Sequence, residues 1–347
     1  MIHLRIVAPC DRAEMALELL KRTPSVTNVI FMPGAAQRPE GDVILADVAR
    51  EDASVVLSDL RELDIPREGS VAMELVDTEI SVAAEEAERA AIGLPSDAVV
   101  WEEVESRTSE NAELSVTFLL FMIVAALIAS VGIFLDTPIL IVGAMVVGPE
   151  FGPIAGFCVA AVQGRKSLAV RSAGALAVGF PLAITVTFIA SLLFKWTGIT
   201  PDQFTESDHG LSNVIANPDF FTFFVAFCAG IAGMLSLTSA KSGALIGVLI
   251  SVTTIPAAAN VAVAAAYGDW SAWRGSMEQL LINMGAILAA GIMTLTVQKA
   301  IYRRRRIAHL HDPVRRAAGL PVGASRRGTP GAGSTRRRRW RTVAGRD

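Results

Sequence analysis

The chain has 347 residues, 52% of them hydrophobic and 19% charged, with a mean hydropathy of +0.47. Its net charge of −3 conceals a strong division: 10 basic against 24 acidic residues in 1–113, 7 against 8 in 114–302, and 14 against 2 in 303–347. Soluble domains run about 25% charged, so an acidic head, an apolar body and a basic tail exclude a soluble multidomain enzyme and point to a membrane domain.

The head, residues 1–78, reads in chain order as a strand at His3–Pro9, a helix at Asp11–Arg22 with Asp11 as N-cap, and a strand at Val26–Met32. Pro33, Gly34 and Pro39-Glu40-Gly41 read as loop. A strand at Asp42–Val48, an amphipathic helix at Glu51–Leu63 and a strand at Ser70–Val76 complete the order βαββαβ. That order predicts a ferredoxin-like α+β cytoplasmic domain, a split βαβ sandwich. The head has one histidine, His3, and no glycine-rich phosphate loop after a strand. Two roles stand open for it: a ligand sensor, or an oligomerisation and support domain.

Residues 79–113 form a helical linker. Glu79–Ala91 is a strong helix former stopped by Gly93 and Pro95, and Ser96-Asp97 restarts a helix through Trp101 and Val104. Its acidic face (Glu102, Glu103, Glu105) is expected in solvent. Trp101 fits either the headgroup level of a bilayer or packing against the head.

Residues 114–302 contain six apolar runs of spanning length: Leu114–Phe134, Pro138–Val162, Ser172–Phe194, Phe220–Leu237, Gly243–Ala266 and Met277–Ala300. A span needs about 20 mainly apolar residues, and none of these runs alternates as a transmembrane β-strand does. Arg165, Lys166, Arg171, Lys241 and Arg303–Arg306 fall on one side; Asp136, Asp202, Glu206, Asp208, Asp219 and Asp269 fall on the other. The bias of lysine and arginine puts both termini in the cytoplasm.

The second and fifth runs echo one another. Gly143-Ala144-Met145 parallels Gly243-Ala244-Leu245, and Ala160–Gly164 parallels Ala264–Gly268. Both runs contain proline: Pro149 and Pro153 in one, Pro256 in the other. Two three-span halves insert with opposite topology, so the expected body is an inverted 3+3 repeat with broken helices 2 and 5, an architecture of secondary transporters.

The breaks carry the candidate chemistry. Gly148-Pro149-Glu150-Phe151-Gly152-Pro153 cannot continue an ideal helix, since an interior proline removes a donor and costs about 3 kcal/mol or more. Backbone groups freed at that depth need protein or water as partners. Glu150 sits within the break and is expected to face a cavity, to pair or to be protonated; a cation- or proton-linked site and a solvated or capping carboxylate both fit. Ser251, Thr253, Thr254, Pro256 and Asn260 form the matching polar patch, which either satisfies opened carbonyls or lines a solute path. Asn283 is a candidate for the path or for interhelical bonding.

The run Ile139–Ile154 (ILIVGAMVVGPEFGPI) resembles the signature of the DUF389 family of bacterial and archaeal hydrophobic-domain proteins. So do Trp101, the stretch AALIASVG at 125–132, and Gly243–Ala259, a resemblance covering about residues 100 to 300. Many members read Ser-Pro-Leu-Met where this chain has Gly148-Pro149-Glu150-Phe151. The resemblance implies a six-span protein of the bacterial cytoplasmic membrane, without fixing a substrate.

The tail, residues 303–347, is arginine-rich between Gly, Pro, Ala and Ser, a composition expected to be disordered. Arg303, Arg304, Arg305 and Arg306 are expected to lie on anionic lipid headgroups; nucleic-acid binding is disfavoured, as only Trp340 could stack bases. The acidic head offers the tail an alternative partner. The three cysteines (Cys10, Cys158, Cys228) form no CxxC pair, so neither a disulfide framework nor a metal site is expected. Nor are a cofactor or a signal peptide. The functional expectation is a transporter or channel for a small solute or ion, and a homo-oligomer is compatible with the small-residue spans; a membrane-anchored sensor or scaffold is the alternative. Enzymatic activity is not expected, because the spans hold no catalytic pair.

Overall fold

The computed structural model describes residues 1–76, 78–91, 98–200, 210–239, 254–323 and 325. The head is β1 (Ile2–Ala8), α1 (Cys10–Arg22), β2 (Val26–Gln37), β3 (Glu40–Val48), α2 (Arg50–Glu62), α3 (Ile65–Glu68) and β4 (Ser70–Leu75). Its four strands lie in the order β2-β3-β1-β4 with every neighbouring pair antiparallel. This is the split βαβ arrangement expected from the element order. The alternation of β1 explains the layer: Ile2, Leu4, Ile6 and Ala8 point to one face and are buried with Leu19 and Leu20 of α1 and Val56 and Leu60 of α2. Burying each large aliphatic side chain contributes about 1.5–3 kcal/mol.

Two local expectations fail in the head. Asp11 lies inside the first turn of α1, whose N-cap is Pro9. The segment expected as loop continues β2 as far as Gln37, because register shifts between Thr27 and Ile30 and between Met32 and Ala36 absorb the misfitting residues. Gly34 takes φ +63 within the second shift, and its N–H donates to Asp42 Oδ1 at 2.8 Å. Pro33 is tolerated because β2 is an edge strand.

The linker forms α4 (Val82–Ala90), capped by Ser81, and α5 (Trp101–Asn111). Trp101 is buried: its backbone N–H donates to Ser54 Oγ of α2 at 3.1 Å, and its ring lies 6.4 Å from that of Tyr302. It therefore packs between head and body and does not sit among headgroups. The acidic face of α5 is paired, contrary to expectation: Glu102 accepts from Ser54 and Arg61, Glu103 pairs with Arg50 and Arg107, and Glu105 with Arg165.

The body comprises α6 (Val116–Phe134), α7 (Pro138–Val147), α8 (Phe151–Gln163), α9 (Lys166–Trp196), α10 (Gly210–Ala216), α11 (Phe220–Thr238), α12 (Thr254–Tyr267) and α13 (Trp270–Leu310). A short turn, α14 (Val314–Ala317), follows. Helices α6, α9, α11 and α13 are long and apolar enough to cross a membrane. The pair α7 and α8 matches the expected second span but is bent by 50° at Gly148–Glu150. The described part of the fifth expected span, α12, has 14 residues, and Gly243–Thr253 lie outside the described residues. Several apolar helices of this length are compatible with a multi-pass membrane protein. Ser115 caps α6 by accepting from Phe118 N, and a capping box of Asp219 and Thr222 starts α11. The core is dominated by small residues (Ala125, Ala126, Ala129, Ala257, Ala258, Ala286), which let helix backbones approach closely.

At 1.5 Å per residue, the 41 residues of α13 extend about 60 Å, twice the hydrocarbon thickness of about 30 Å. Its C-terminal part therefore projects to the head, which corrects the tail expectation. Residues 303–310 are helical, and Arg306 and Arg315 are buried. Arg306 reaches Asp59 Oδ1 at 2.6 Å and Glu62 Oε1 at 2.7 Å; Arg315 bonds Asp59 and also Glu62 Oε2 at 2.8 Å. Opposite charges of head and tail are thus paired in a buried lock. Arg306 is unavailable to lipid, whereas Arg303 and Arg304 are exposed. Residues 326–347 lie outside the described residues.

Candidate functional site

Two helices meet inside the body, where Glu150 contacts Thr254. Helix α8 begins at Phe151 after the bend, and α12 has its first described residue at Thr254. Pro153 of α8 and Pro256 of α12 are both buried. Pro153 is the third residue of α8, where its missing N–H is no loss, because N–H groups of a first turn have no intrahelical acceptor. The interruption is consequently not at Pro153. It lies at Gly148, where the chain turns extended (φ −63, ψ 127) before Glu150 returns to helical angles.

Glu150 is 2% exposed at the head of α8. Its Oε1 accepts from Thr254 Oγ1 at 2.8 Å, which ties the start of α8 to α12. Its Oε2 is buried and has no hydrogen-bond partner among the described residues. A Cβ on Gly148 would collide with that Oε2 and lie 2.8 Å from Ile255 Cγ1, so only glycine leaves the carboxylate its place. The positive end of the α8 dipole favours negative charge here, by about 0.3–1 kcal/mol or more where partly buried.

The backbone of the break also borders open space. A cleft of about 220 Å³ is lined by Gly148, Pro149, Phe151 and Gly152, with Ala155 of α8, Leu237 of α11, and Thr108 and Asn111 of α5. The carboxylate of Glu150 does not line this cleft; it turns to Thr254 instead. Helix α5 closes down on the same place: a Cβ on Gly152 would lie 2.8 Å from the Asn111 carbonyl oxygen.

Asn260 belongs to a separate polar cluster. Its Oδ1 accepts from Ser212 Oγ at 3.0 Å, and its Nδ2 donates to Ser276 Oγ at 2.8 Å, binding α10, α12 and α13 together. Asn283 is buried within α13. Ser251 and Thr253 lie outside the described residues. The structure thus brings together Gly148, Pro149, Glu150, Gly152 and Thr254, keeps Pro153 and Pro256 on the adjoining helices, and holds Asn260 apart in satisfied bonds.

Sequence reading offered the acidic head as a partner for the tail but did not single out the residues of the second feature, the lock of Asp59 and Glu62 with Arg306 and Arg315. His309 Nε2 adds a bond to Asp59 Oδ2 at 2.7 Å, and Ser325 Oγ donates to Glu62 Oε1 at 2.7 Å. Burial raises the Asp59 carboxyl, but the His309 bond and the Arg306 and Arg315 charges outweigh it and hold the group below the usual carboxylate range. The signal was present as spacing: Asp59 and Glu62 fall three apart on α2, and Arg306 and His309 three apart on α13.

Comparison with known proteins follows the same outline. The model of the family described as "Domain of unknown function (DUF389)" matches residues 145–289, which include most of the break, α8 to α12 and the start of α13. The resemblance read from the sequence is thereby supported over those residues; Trp101 and 125–132 lie outside them. An uncharacterised protein of Methanocaldococcus jannaschii is 27% identical over 205 residues, covering 56% of this chain and 58% of the relative. The chain thus spans a little over half of that relative's length. No solved structure matches the chain.

Proposed function

We propose that this membrane protein is a conduit for a small solute or ion, not an enzyme, with its path at the break between α7 and α8. One observation carries the reading. A buried carboxylate with an unpartnered oxygen, Glu150, stands where α8 meets α12, beside a 220 Å³ cleft lined by the opened backbone. Irregular backbone at membrane depth is tolerated where it is buried in protein or borders water. The reading includes six spans in an inverted 3+3 repeat, in which α8 and α12 are equivalent helices; the buried prolines Pro153 and Pro256 beside the contact of Glu150 with Thr254 favour it. It also places both termini in the bacterial cytoplasm on the charge bias of the loops, and sets the exposed Arg303 and Arg304 against anionic headgroups.

The test is flux in proteoliposomes over a panel of H⁺, Na⁺, K⁺ and small anions. Flux of at least one species above empty liposomes, lost in Glu150→Gln, supports the reading; equal flux from wild type and empty liposomes across the panel contradicts it. A sensor or scaffold is the second reading, favoured by the buried lock of α2 on α13.

A further inference from the structure

The conduit reading leaves open which ion Glu150 handles, and its surroundings narrow the choice. Glu150 Oε1 accepts from the Thr254 hydroxyl, while Oε2 is enclosed with no hydrogen-bond partner among the described residues. Gly148 borders both this oxygen and the cleft: a Cβ there would collide with Oε2, and the same residue lines the 220 Å³ space.

No charged group acts on the carboxylate among the described residues. Helices α6, α7, α8, α11 and α12 carry no Asp, Glu, Lys, Arg or His over their bounds. The helices packed against α8 and α12 do carry charge, but it is engaged elsewhere or exposed. Glu105 of α5 pairs with Arg165, Arg107 with Glu103, and Arg171 of α9 with Glu113. Lys299 of α13 donates to the Val162 carbonyl oxygen, and Lys195 lies over the Tyr267 ring. Glu110, Lys166, Arg274 and Glu278 are exposed, and the Cys158 thiol donates to the Leu288 carbonyl oxygen.

A carboxylate taken out of water without a countercharge is so costly that it is neutralised instead. A metal cation or a proton can do that. Hard divalent cations collect about six oxygens or more, and the described side chains offer three: Glu150 Oε1 and Oε2, and Thr254 Oγ1. A proton needs one. Resting on the conduit reading, we propose that Glu150 is the proton-binding site of the break and that the conduit carries H⁺. Oε2 takes a proton from hydronium in the cleft, forming an O–H bond and leaving water, and the reverse step releases it. Thr254 keeps Oε1 occupied as an acceptor, which directs the proton to Oε2.

The experiment pairs infrared titration of the full chain in nanodiscs with proton flux into proteoliposomes, read by an enclosed pH dye. Wild type shows a protonated-carboxyl C=O band that titrates reversibly and is missing from Glu150→Gln. Excess Na⁺, K⁺ or Ca²⁺ leaves that titration unchanged. An imposed potential drives H⁺ into wild-type liposomes; Glu150→Gln abolishes the flux and Glu150→Asp keeps part of it. Melting temperatures of all variants are measured alongside. Should Glu150→Gln fail to fold, Thr254→Val decides, because loss of the donor to Oε1 displaces the titration of the band. Absence of a Glu150 band, displacement of the titration by a metal ion, or an unmoved titration in folded Thr254→Val overturns the inference. Metal-ion or anion flux without H⁺ flux overturns it and keeps the conduit, whereas absence of any flux overturns the conduit and proton carriage together.

Discussion

Thr254 Oγ1 and Glu150 Oε1 are 2.8 Å apart and both fully enclosed, although 104 residues separate them in the chain. The bond fixes the start of α8 against α12, and it gives the carboxylate its one side-chain donor among the described residues.

Thr254→Val keeps the shape of the side chain but leaves Glu150 without that donor. Leaving a buried hydrogen-bonding group without its partner costs about 1–3 kcal/mol. Thermal unfolding in detergent should show the loss in Thr254→Val, with recovery in Thr254→Ser and in the double variant Thr254→Val/Glu150→Gln. A Thr254→Val protein as stable as wild type would show that the bond contributes nothing.

Breaking the lock has a larger effect. Arg315→Leu leaves Asp59 and Glu62 buried with less compensation, and removal of one partner from a buried pair costs about 3–5 kcal/mol. Hydrogen exchange should speed up in α2 and in residues 303–310 while α6 and α9 stay protected. Uniform change across all helices would mean that the lock does not hold those two segments specifically.

The head carries two opposing pH dependences. Asp59 lies below its ordinary value of about 3.9, so its contribution is present above that value and is lost as pH falls through the lowered folded value. Burial is the main cause that raises Glu51, so it favours folding when protonated and weakens the fold as pH rises through its raised value. Glu51→Gln should therefore raise the melting temperature at pH 7, and the gain should vanish below about pH 4. A destabilised Glu51→Gln at pH 7 would reverse the sign.

Gly152→Ala tests the contact between linker and break. The added Cβ meets the Asn111 carbonyl at 2.8 Å, backbone that cannot swing aside. Overpacking of this kind costs about 1–3 kcal/mol and should push the end of α5 outward, which distance measurements between spin labels on α5 and α9 would detect. Gly143→Ala, which meets nothing within 4 Å, is the matched control.

Periodicity made the head legible almost element by element, because strands and amphipathic helices bury one face each and write that face as apolar spacing. The break was legible for a similar local reason: Gly148-Pro149 disrupts a helix whatever surrounds it. The direction of the Glu150 side chain was not legible, since it depends on Thr254 arriving from 104 residues away. The tail misled for a different reason. Arg306 and Arg315 look solvated by composition alone, and only the projection of α13 beyond the membrane brings them to the acids of α2. Trp101 was ambiguous because its ring suits a headgroup layer and a domain joint equally well, until the Ser54 bond places it.

The central claim is that the break borders water continuous with one side of the membrane. Thiol labelling tests it most directly, using Asn111→Cys and Leu237→Cys, which line the cleft, and Ala129→Cys, which is enclosed in the core, each in a background free of Cys10, Cys158 and Cys228. A membrane-impermeant reagent should modify both cleft positions in folded protein in liposomes and spare position 129. Cleft positions as unreactive as position 129 would contradict the account.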